Sequence, residues 1–301
     1  MTEPTDYAIA DDGVKLPWYR KGKGDDVFIF NGFACVQDNL KPAIEHLSRH
    51  FRVTSWDYRG HGKADKNSGT SPDKANLDQF MRDALSVMNS ARIKKTHLLG
   101  YSMGAQFGME FAYRNNSSIK RIIGLNGIYG NAFDDVMGTD FVAKLLPHLK
   151  FEIPLLNEAY AKIWKAALGV PFELKYNIAA IAMVDRGLVK PEDFKPYLDQ
   201  LENLEGPFML ALMQEIHSHQ TYSFLPKIEN QALIIMGEKD PLATPAMGKK
   251  VVELLPNAEL LIIEKGTHNS NLERPQEIFP RIEQFLKSGG WTGRLKNIFS
   301  K

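Results

Sequence analysis

Residues 96–104 read Thr-His-Leu-Leu-Gly-Tyr-Ser-Met-Gly, and a helical pattern follows them as far as Arg114. The four residues from Thr96 predict a buried strand, and the segment from Ala105 to Arg114 predicts a helix. The turn between them holds Ser102 in a Gly-x-Ser-x-Gly pattern. A serine at such a turn projects from the strand end, beside the free N–H groups that begin the helix. Ser102 is therefore the candidate nucleophile of an enzyme.

Short apolar runs alternate with amphipathic segments on both sides of this motif. The predicted strands in the first half of the chain are 27–30, 52–56, 96–99 and 119–125, and the predicted helices are 39–50, 77–93 and 105–114. Most strand residues are apolar, which is typical of a parallel sheet covered by helices on both faces. Gly22-Lys-Gly24 indicates a hairpin turn between two N-terminal strands.

The alternation stops near residue 131 and resumes near residue 229. The segment between these points contains helical patterns at 140–149, 157–168, 191–204 and 207–217, and strands are predicted again at 232–236 and 259–263. We therefore predict an α/β core formed by residues 1–130 and 229–301. A helical cap, residues 131–228, is inserted over the strand ends, where ligands bind in open parallel sheets.

A serine nucleophile needs a base within hydrogen-bond reach and an acid that orients the base. In a fold with this strand–turn–helix motif, the acid and then the histidine follow the serine along the chain. Asp240 and His268 each come just after a predicted strand, on the same sheet edge as Ser102. Glu238 is the alternative acid. His61 is the alternative histidine, but it precedes Ser102, and we interpret it as structural.

Several further motifs support this arrangement. They are Asn31-Gly-Phe33, Asp57-Tyr-Arg-Gly-His-Gly62, Gly100-Tyr-Ser-Met-Gly104, Gly237-Glu-Lys-Asp-Pro-Leu-Ala-Thr-Pro245 and Gly266-Thr-His268. With these motifs the chain resembles the α/β-hydrolase superfamily, in particular its esterase-like or lipase-like serine hydrolases with a helical cap. The resemblance implies the α/β-hydrolase fold and a Ser102–His268–Asp240 triad. The chain departs from the superfamily pattern at Asn31, where histidine is usual, and we expect asparagine to form the turn in its place.

We expect the backbone N–H groups of Met103 and Phe33 to form the oxyanion hole. The side chains of Phe33 and Tyr101 are predicted to line the substrate pocket, although packing is an equal alternative for Tyr101. The cap is rich in large apolar residues, which are Met137, Phe141, Leu145, Leu146, Leu155, Leu156, Ile163, Trp164, Phe208, Met209, Leu212 and Met213. Most of these should form core, and the rest should leave an apolar chamber. The predicted substrate is a carboxylic ester with an apolar, short-to-medium acyl chain.

Two kinds of alternative stay open from the sequence. The same triad serves thioesterases, lactonases, C–C hydrolases, acyltransferases and cofactor-free perhydrolases, because a fold does not determine the chemistry. A non-catalytic protein that binds a ligand in the capped pocket is the second alternative. All three triad positions are occupied, which disfavours it.

The composition of the chain argues against several classes of partner and cofactor. The 37 basic and 36 acidic residues nearly cancel, which argues against a nucleic-acid partner. The single cysteine, Cys35, excludes an intramolecular disulfide and a cysteine-rich zinc site, and His217 and His219 are spaced for different helix faces. We expect no metal or organic cofactor. We found no secretory signal or membrane-spanning run, and we predict a cytoplasmic protein of unspecified oligomeric state. The tail from Trp291 could contact a membrane surface, but a terminal helix packed on the domain is favoured.

Overall fold

The computed structural model describes residues 3–65, 69–134 and 140–288. Its strands are β1 (Asp6–Ile9), β2 (Lys15–Lys21), β3 (Asp26–Phe30), β4 (Arg52–Trp56), β5 (Thr96–Tyr101), β6 (Ile119–Leu125), β7 (Gln231–Gly237) and β8 (Ala258–Ile263). They form one sheet in the order β1-β2-β4-β3-β5-β6-β7-β8. The two pairings of β2 are antiparallel, and all pairings from β4 to β8 are parallel.

The helices complete an α/β arrangement. They are α1 (Lys41–Leu47), α2 (Leu77–Ser90), α3 (Met103–Arg114), α4 (Phe141–Leu145), α5 (Pro154–Leu168), α6 (Phe172–Met183), α7 (Pro191–Glu202), α8 (Gly206–Ser218), α9 (Pro245–Leu254), α10 (Ser270–Glu273) and α11 (Pro275–Lys287). Strand β3 shows how the sheet is covered. Val27 and Ile29 pack in one cluster with α1 and α11, whereas Phe28 and Phe30 pack in another with α2 and α3. This alternation follows from the two-residue period of a strand, and the predicted fold class is confirmed.

The prediction for Gly22-Lys-Gly24 was wrong. The segment does connect β2 to β3, but these strands are not neighbours, because β4 lies between them. Gly22 has φ of +85°, and a Cβ there would collide with the backbone of Ser48 and Phe51. Glycine is therefore required because the link passes close to the chain that leads into β4, and not because it closes a hairpin.

Helices α4 to α8 lie between β6 and β7 in the chain, where the cap was predicted. Of the apolar residues noted there, Leu146, Phe208, Met209 and Leu212 are buried, and Phe141, Leu145, Leu155 and Ile163 are exposed. Met137 and the tail from Trp291 lie outside the described residues. The division into core and cap stays a prediction. Within the described ranges, no helix is long and apolar enough to cross a membrane.

Candidate active site

Ser102 occupies the turn between β5 and α3 in a strained backbone conformation. Its φ is +53° and its ψ is −121°, outside the regions that side-chain-bearing residues normally adopt. The flanking glycines have a steric reason. A Cβ at Gly104 would collide with the carbonyl oxygens of Phe30 and Asn31, and one at Gly100 would collide with α3. The turn therefore holds the serine at the carboxyl edge of the sheet, at the start of α3.

The structure brings the three predicted side chains together. The Ser102 hydroxyl lies 2.9 Å from His268 Nε2, and His268 Nδ1 lies 2.8 Å from Asp240 Oδ2. All three residues are buried. With a proton on Nδ1, the imidazole donates to the carboxylate and accepts from the serine hydroxyl. This is the geometry in which a histidine can remove the serine proton during attack on a carbonyl carbon.

The second carboxylate oxygen of Asp240 is also occupied. Its Oδ1 accepts hydrogen bonds from the backbone N–H groups of Leu242 and Ala243, each at 2.9 Å. These bonds fix the orientation of the carboxylate relative to the imidazole. The alternative acid, Glu238, is exposed and accepts instead from the backbone N–H of Lys265 at 2.8 Å. The structure therefore places Asp240, and not Glu238, beside His268.

The two predicted oxyanion donors lie at the same cavity. Phe33 and Met103 both line it together with Ser102. Met103 is the first residue of α3, where a backbone N–H has no partner inside the helix. In the described part of the chain, neither the Met103 nor the Phe33 N–H donates to a backbone carbonyl. The oxyanion hole formed by these two amides stays a prediction.

Asn31, the departure from the superfamily pattern, supports the loop that carries Phe33. Its side-chain amide donates to the backbone carbonyl of Trp56 at 2.8 Å, and its backbone carbonyl accepts from the Tyr58 hydroxyl at 2.9 Å. Both bonds are buried and link the ends of β3 and β4. Asparagine thus connects the two loops through hydrogen bonds.

Asn126 is a site residue that the sequence analysis missed. It directly follows β6, with φ of +43°, and its side-chain amide donates to the carbonyl of His268 at 2.6 Å and to Ser270 Oγ at 2.8 Å. Its Oδ1 accepts from the backbone N–H of Gly237 at 3.1 Å. A single buried side chain therefore joins the histidine loop to the loop of the acid. An asparagine directly after a buried strand was the available signal, because asparagine tolerates a positive φ.

The triad faces a cavity of about 210 Å³ between the sheet edge and the helices that follow β6. Its lining is mostly apolar and consists of Phe33, Cys35, Asn39, Tyr101, Ser102, Met103, Ile128, Phe133, Met183, Tyr197, Met213, Ile216, Leu242, His268 and Asn269. Phe33 and Tyr101, the two residues predicted to line the substrate pocket, are among them. The Tyr101 hydroxyl donates to Asn269 Oδ1 at 2.9 Å, so this tyrosine also packs beside the histidine loop.

The other candidate histidines lie elsewhere. His61 is buried in the turn after β4, with Nδ1 3.0 Å from the carbonyl of Arg59 and its ring packed edge-on against Tyr58. His97 is buried near the opposite end of β5. The distance from its Nε2 to the Asp25 carboxylate is 3.9 Å, beyond hydrogen-bond range, and burial lowers the pKa of His97 to about 4. We therefore interpret His97 as a core residue with a neutral imidazole at neutral pH.

The turn that contains His61 also holds two buried charged groups. Arg59 donates to both oxygens of Asp83, at 2.6 and 2.7 Å. Asp57 accepts from the Tyr19 hydroxyl at 2.8 Å and from the Lys63 N–H at 3.0 Å. Burial raises the pKa of Asp57 to about 6, because the charged form is poorly solvated there.

Thiol chemistry and metal-ion chemistry are the alternatives to a serine nucleophile at this edge of the sheet. Cys35 lines the cavity, but burial raises the pKa of its thiol to about 12, so the thiol stays protonated at neutral pH. Across residues 3–65, 69–134 and 140–288, no group of three His, Cys, Asp or Glu side chains could hold a metal ion. The arrangement found at the sheet edge is one for nucleophilic attack by a serine.

The chain is similar to known hydrolases over most of its length. The serine hydrolase BPHL of Homo sapiens is 25% identical over 293 residues, covering 95% of this chain and 88% of that protein. The (E)-2-((N-methylformamido)methylene)succinate hydrolase of Acinetobacter baylyi is 22% identical over 284 residues, or 90% and 94% of the two chains. The crystal structure of the enol-lactonase from Burkholderia xenovorans LB400 superposes with a TM-score of 0.73 at 21% identity, covering 94% of this chain and all of that one.

These similarities extend over nearly the whole chain, and the structural neighbour shares the fold. Residues 27–281 match the alpha/beta hydrolase family, a range that includes the serine turn, the acid loop and the histidine loop. The chain therefore belongs to the alpha/beta hydrolase family.

Proposed function

We propose that the protein is a serine hydrolase that cleaves small carboxylic esters with an apolar acyl group. The observation that carries the proposal is the hydrogen-bonded chain from Ser102 through His268 to Asp240, which opens into a small apolar cavity. The family is one of hydrolases, and several members that match this chain are named as hydrolases.

The proposed reaction proceeds in two halves. His268 takes the Ser102 proton as the serine oxygen attacks the ester carbonyl, and the N–H groups of Met103 and Phe33 bind the resulting oxyanion. The protonated imidazole, stabilised by Asp240, then gives its proton to the leaving alcohol, and an acyl-serine remains. A water molecule repeats the sequence and releases the acid.

The cavity supports a short-to-medium acyl chain. Its volume of about 210 Å³ is below the roughly 300 Å³ at which ordinary ligand pockets begin. Among the described residues that line the cavity, none is a lysine, an arginine or a carboxylate. A charged acyl group would lose its hydration there without gaining a partner, so an uncharged apolar group fits better.

The test is a panel of nitrophenyl esters from acetate to palmitate, assayed with the parent and with Ser102→Ala. We expect the parent to prefer the short and medium esters, and the variant to lose nearly all activity. Ser218→Ala is the matched control, because Ser218 is an exposed serine at the end of α8. Thioesters, lactones and a competing alcohol added to the panel separate ester hydrolysis from the other reactions of the same triad.

Labelling with a fluorophosphonate tests the rival hypothesis of a non-catalytic binding protein. An activated serine should form a covalent adduct at Ser102, and Ser102→Ala should not react. A parent protein that fails to react, or a Ser102→Ala variant as active as the parent, would remove the proposed function.

A further inference from the structure

Glu273, at the end of α10, is a buried carboxylate that the proposed mechanism does not use. In the described residues, no lysine, arginine or histidine lies within ion-pair distance of it. Burying a carboxylate without a cation is costly unless hydrogen bonds replace the lost water. Such bonds are present. Oε2 accepts from the backbone N–H of Thr267 at 2.9 Å, and Oε1 accepts from the backbone N–H of Asp185 at 2.8 Å.

These two donors come from different parts of the molecule. Thr267 directly precedes His268 on the histidine loop, whereas Asp185 lies two residues beyond α6, in the helical block between β6 and β7. The Thr267 hydroxyl also lies 2.5 Å from Glu273 Oε1. Glu273 therefore holds the histidine loop and the end of α6 with one carboxyl group.

The carbonyl of Met183 makes a second connection between the same two segments. It lies 2.8 Å from the Thr267 hydroxyl, whose single proton goes either to this carbonyl or to Glu273 Oε1. It accepts from the Asn269 N–H at 3.1 Å and from the Asn269 side-chain amide at 2.9 Å. The residues on both sides of His268 are thus bound to the end of α6. The side chain of Met183 lines the cavity, so the segment that holds the histidine loop also contacts the substrate space.

We propose that Glu273 is a positioning residue, which holds His268 in line with Ser102 by tying the histidine loop to the cap helix α6. The inference rests on the proposed function, because it assigns His268 the role of base. Glu273 contacts neither Ser102 nor the imidazole; it acts through Thr267. Displacing a catalytic group by about 1 Å can cost about 10²-fold in rate, so a looser loop should lower turnover more than binding.

The test compares Glu273→Gln with the parent. Glutamine keeps the size but turns one acceptor oxygen into a donor, which then faces a backbone N–H instead of binding it. We expect kcat for the preferred ester to fall 10- to 100-fold, KM to change less than threefold, and the pH profile of kcat/KM to shift. Glu277→Gln is the matched control, an exposed glutamate in the first turn of α11, and it should behave as the parent.

A second variant keeps the inference falsifiable if Glu273→Gln fails to fold. Thr267→Val removes the hydroxyl that contacts both Glu273 and Met183, and Thr267→Ser restores it. We expect the valine variant to lose turnover and the serine variant to recover it. Unchanged kcat and pH profile in Glu273→Gln or in Thr267→Val would overturn the inference.

The failure of this inference can be told apart from failure of the proposed function. The rate of fluorophosphonate labelling needs an activated Ser102 but no particular substrate, so it provides a readout independent of the ester panel. A parent that reacts while Glu273→Gln reacts equally fast overturns the positioning role alone. A parent that does not react overturns the proposed function, and this inference with it.

Discussion

The two walls of the cavity are made in different ways. On the sheet side, Ser102, Asn126, Asp240 and His268 are buried polar residues in turns at strand ends. Hydrogen bonds join the side chains of Ser102, His268 and Asp240, and the Asn126 side chain donates to the backbone carbonyl of His268. On the helical side, the lining comes mainly from side chains such as Met183, Met213 and Ile216. A hydrogen bond requires a defined direction, whereas an apolar contact mainly requires volume. Changes on the sheet side should therefore affect the rate with every substrate, and changes on the helical side should affect which substrates fit.

The largest expected effect is on the sheet side, at Asp240. In Asp240→Asn, the amide can donate to the imidazole and favour the wrong tautomer, so we expect kcat to fall by about 10⁴-fold for all esters. Steady-state kinetics across the ester panel measures this. Glu238→Gln is the control, because its carboxylate binds the Lys265 N–H and not the imidazole. A comparable loss in Glu238→Gln would show that the acid has been misassigned.

A second prediction concerns the free energy of unfolding, which should depend on pH because a carboxyl group is buried in the turn after β4. Burial raises the pKa of Asp57 from its usual 3.8 to about 6. Between these values the folded state binds more protons than the unfolded state, so the contribution of Asp57 to stability falls as pH rises from 4 to 6. The loss is of order 3 kcal/mol, from about two pKa units at 1.36 kcal/mol each.

Urea unfolding of the parent and of Asp57→Asn at pH 4 and pH 7 checks this prediction. We expect the variant to gain stability relative to the parent as the pH is raised. Asp193→Asn, an exposed carboxylate on α7, should show no such trend. A parent and variant whose difference in unfolding free energy stays constant with pH would contradict the proposed burial cost.

The smallest effect is expected on the helical side. Met213→Ala enlarges the cavity, and we expect kcat/KM for octanoate to rise relative to butyrate by about tenfold, the lower end of the roughly 10- to 200-fold that one methylene is worth in a pocket. Ile163→Ala, an exposed apolar residue on α5, is the control. If Met213→Ala slowed all esters equally, the contrast between the two walls would not hold.

The sequence predicted the parts of the molecule that depend on local pattern. The strands carry a clear apolar signal, and Ser102, Asp240 and His268 were found because each follows a strand end. The hydrogen bonds around these loops were not predicted, because they join segments far apart in the chain, as Asn126 does with Gly237 and His268 and Glu273 does with Asp185. The hairpin predicted at Gly22 was wrong for the same reason, because the position of β4 between β2 and β3 depends on strand pairing between segments far apart in the chain. Apolar content also did not distinguish buried Phe208 from exposed Leu155.

The single cysteine of the chain offers a way to measure unfolding. Cys35 lies in the cavity wall, buried and protonated, and no second cysteine competes with it for reagents. Alkylation proceeds through the thiolate, so the buried, protonated Cys35 should react slowly in the folded protein and much faster once unfolding exposes it. The rate at which this thiol is alkylated therefore measures unfolding independently of any catalysis.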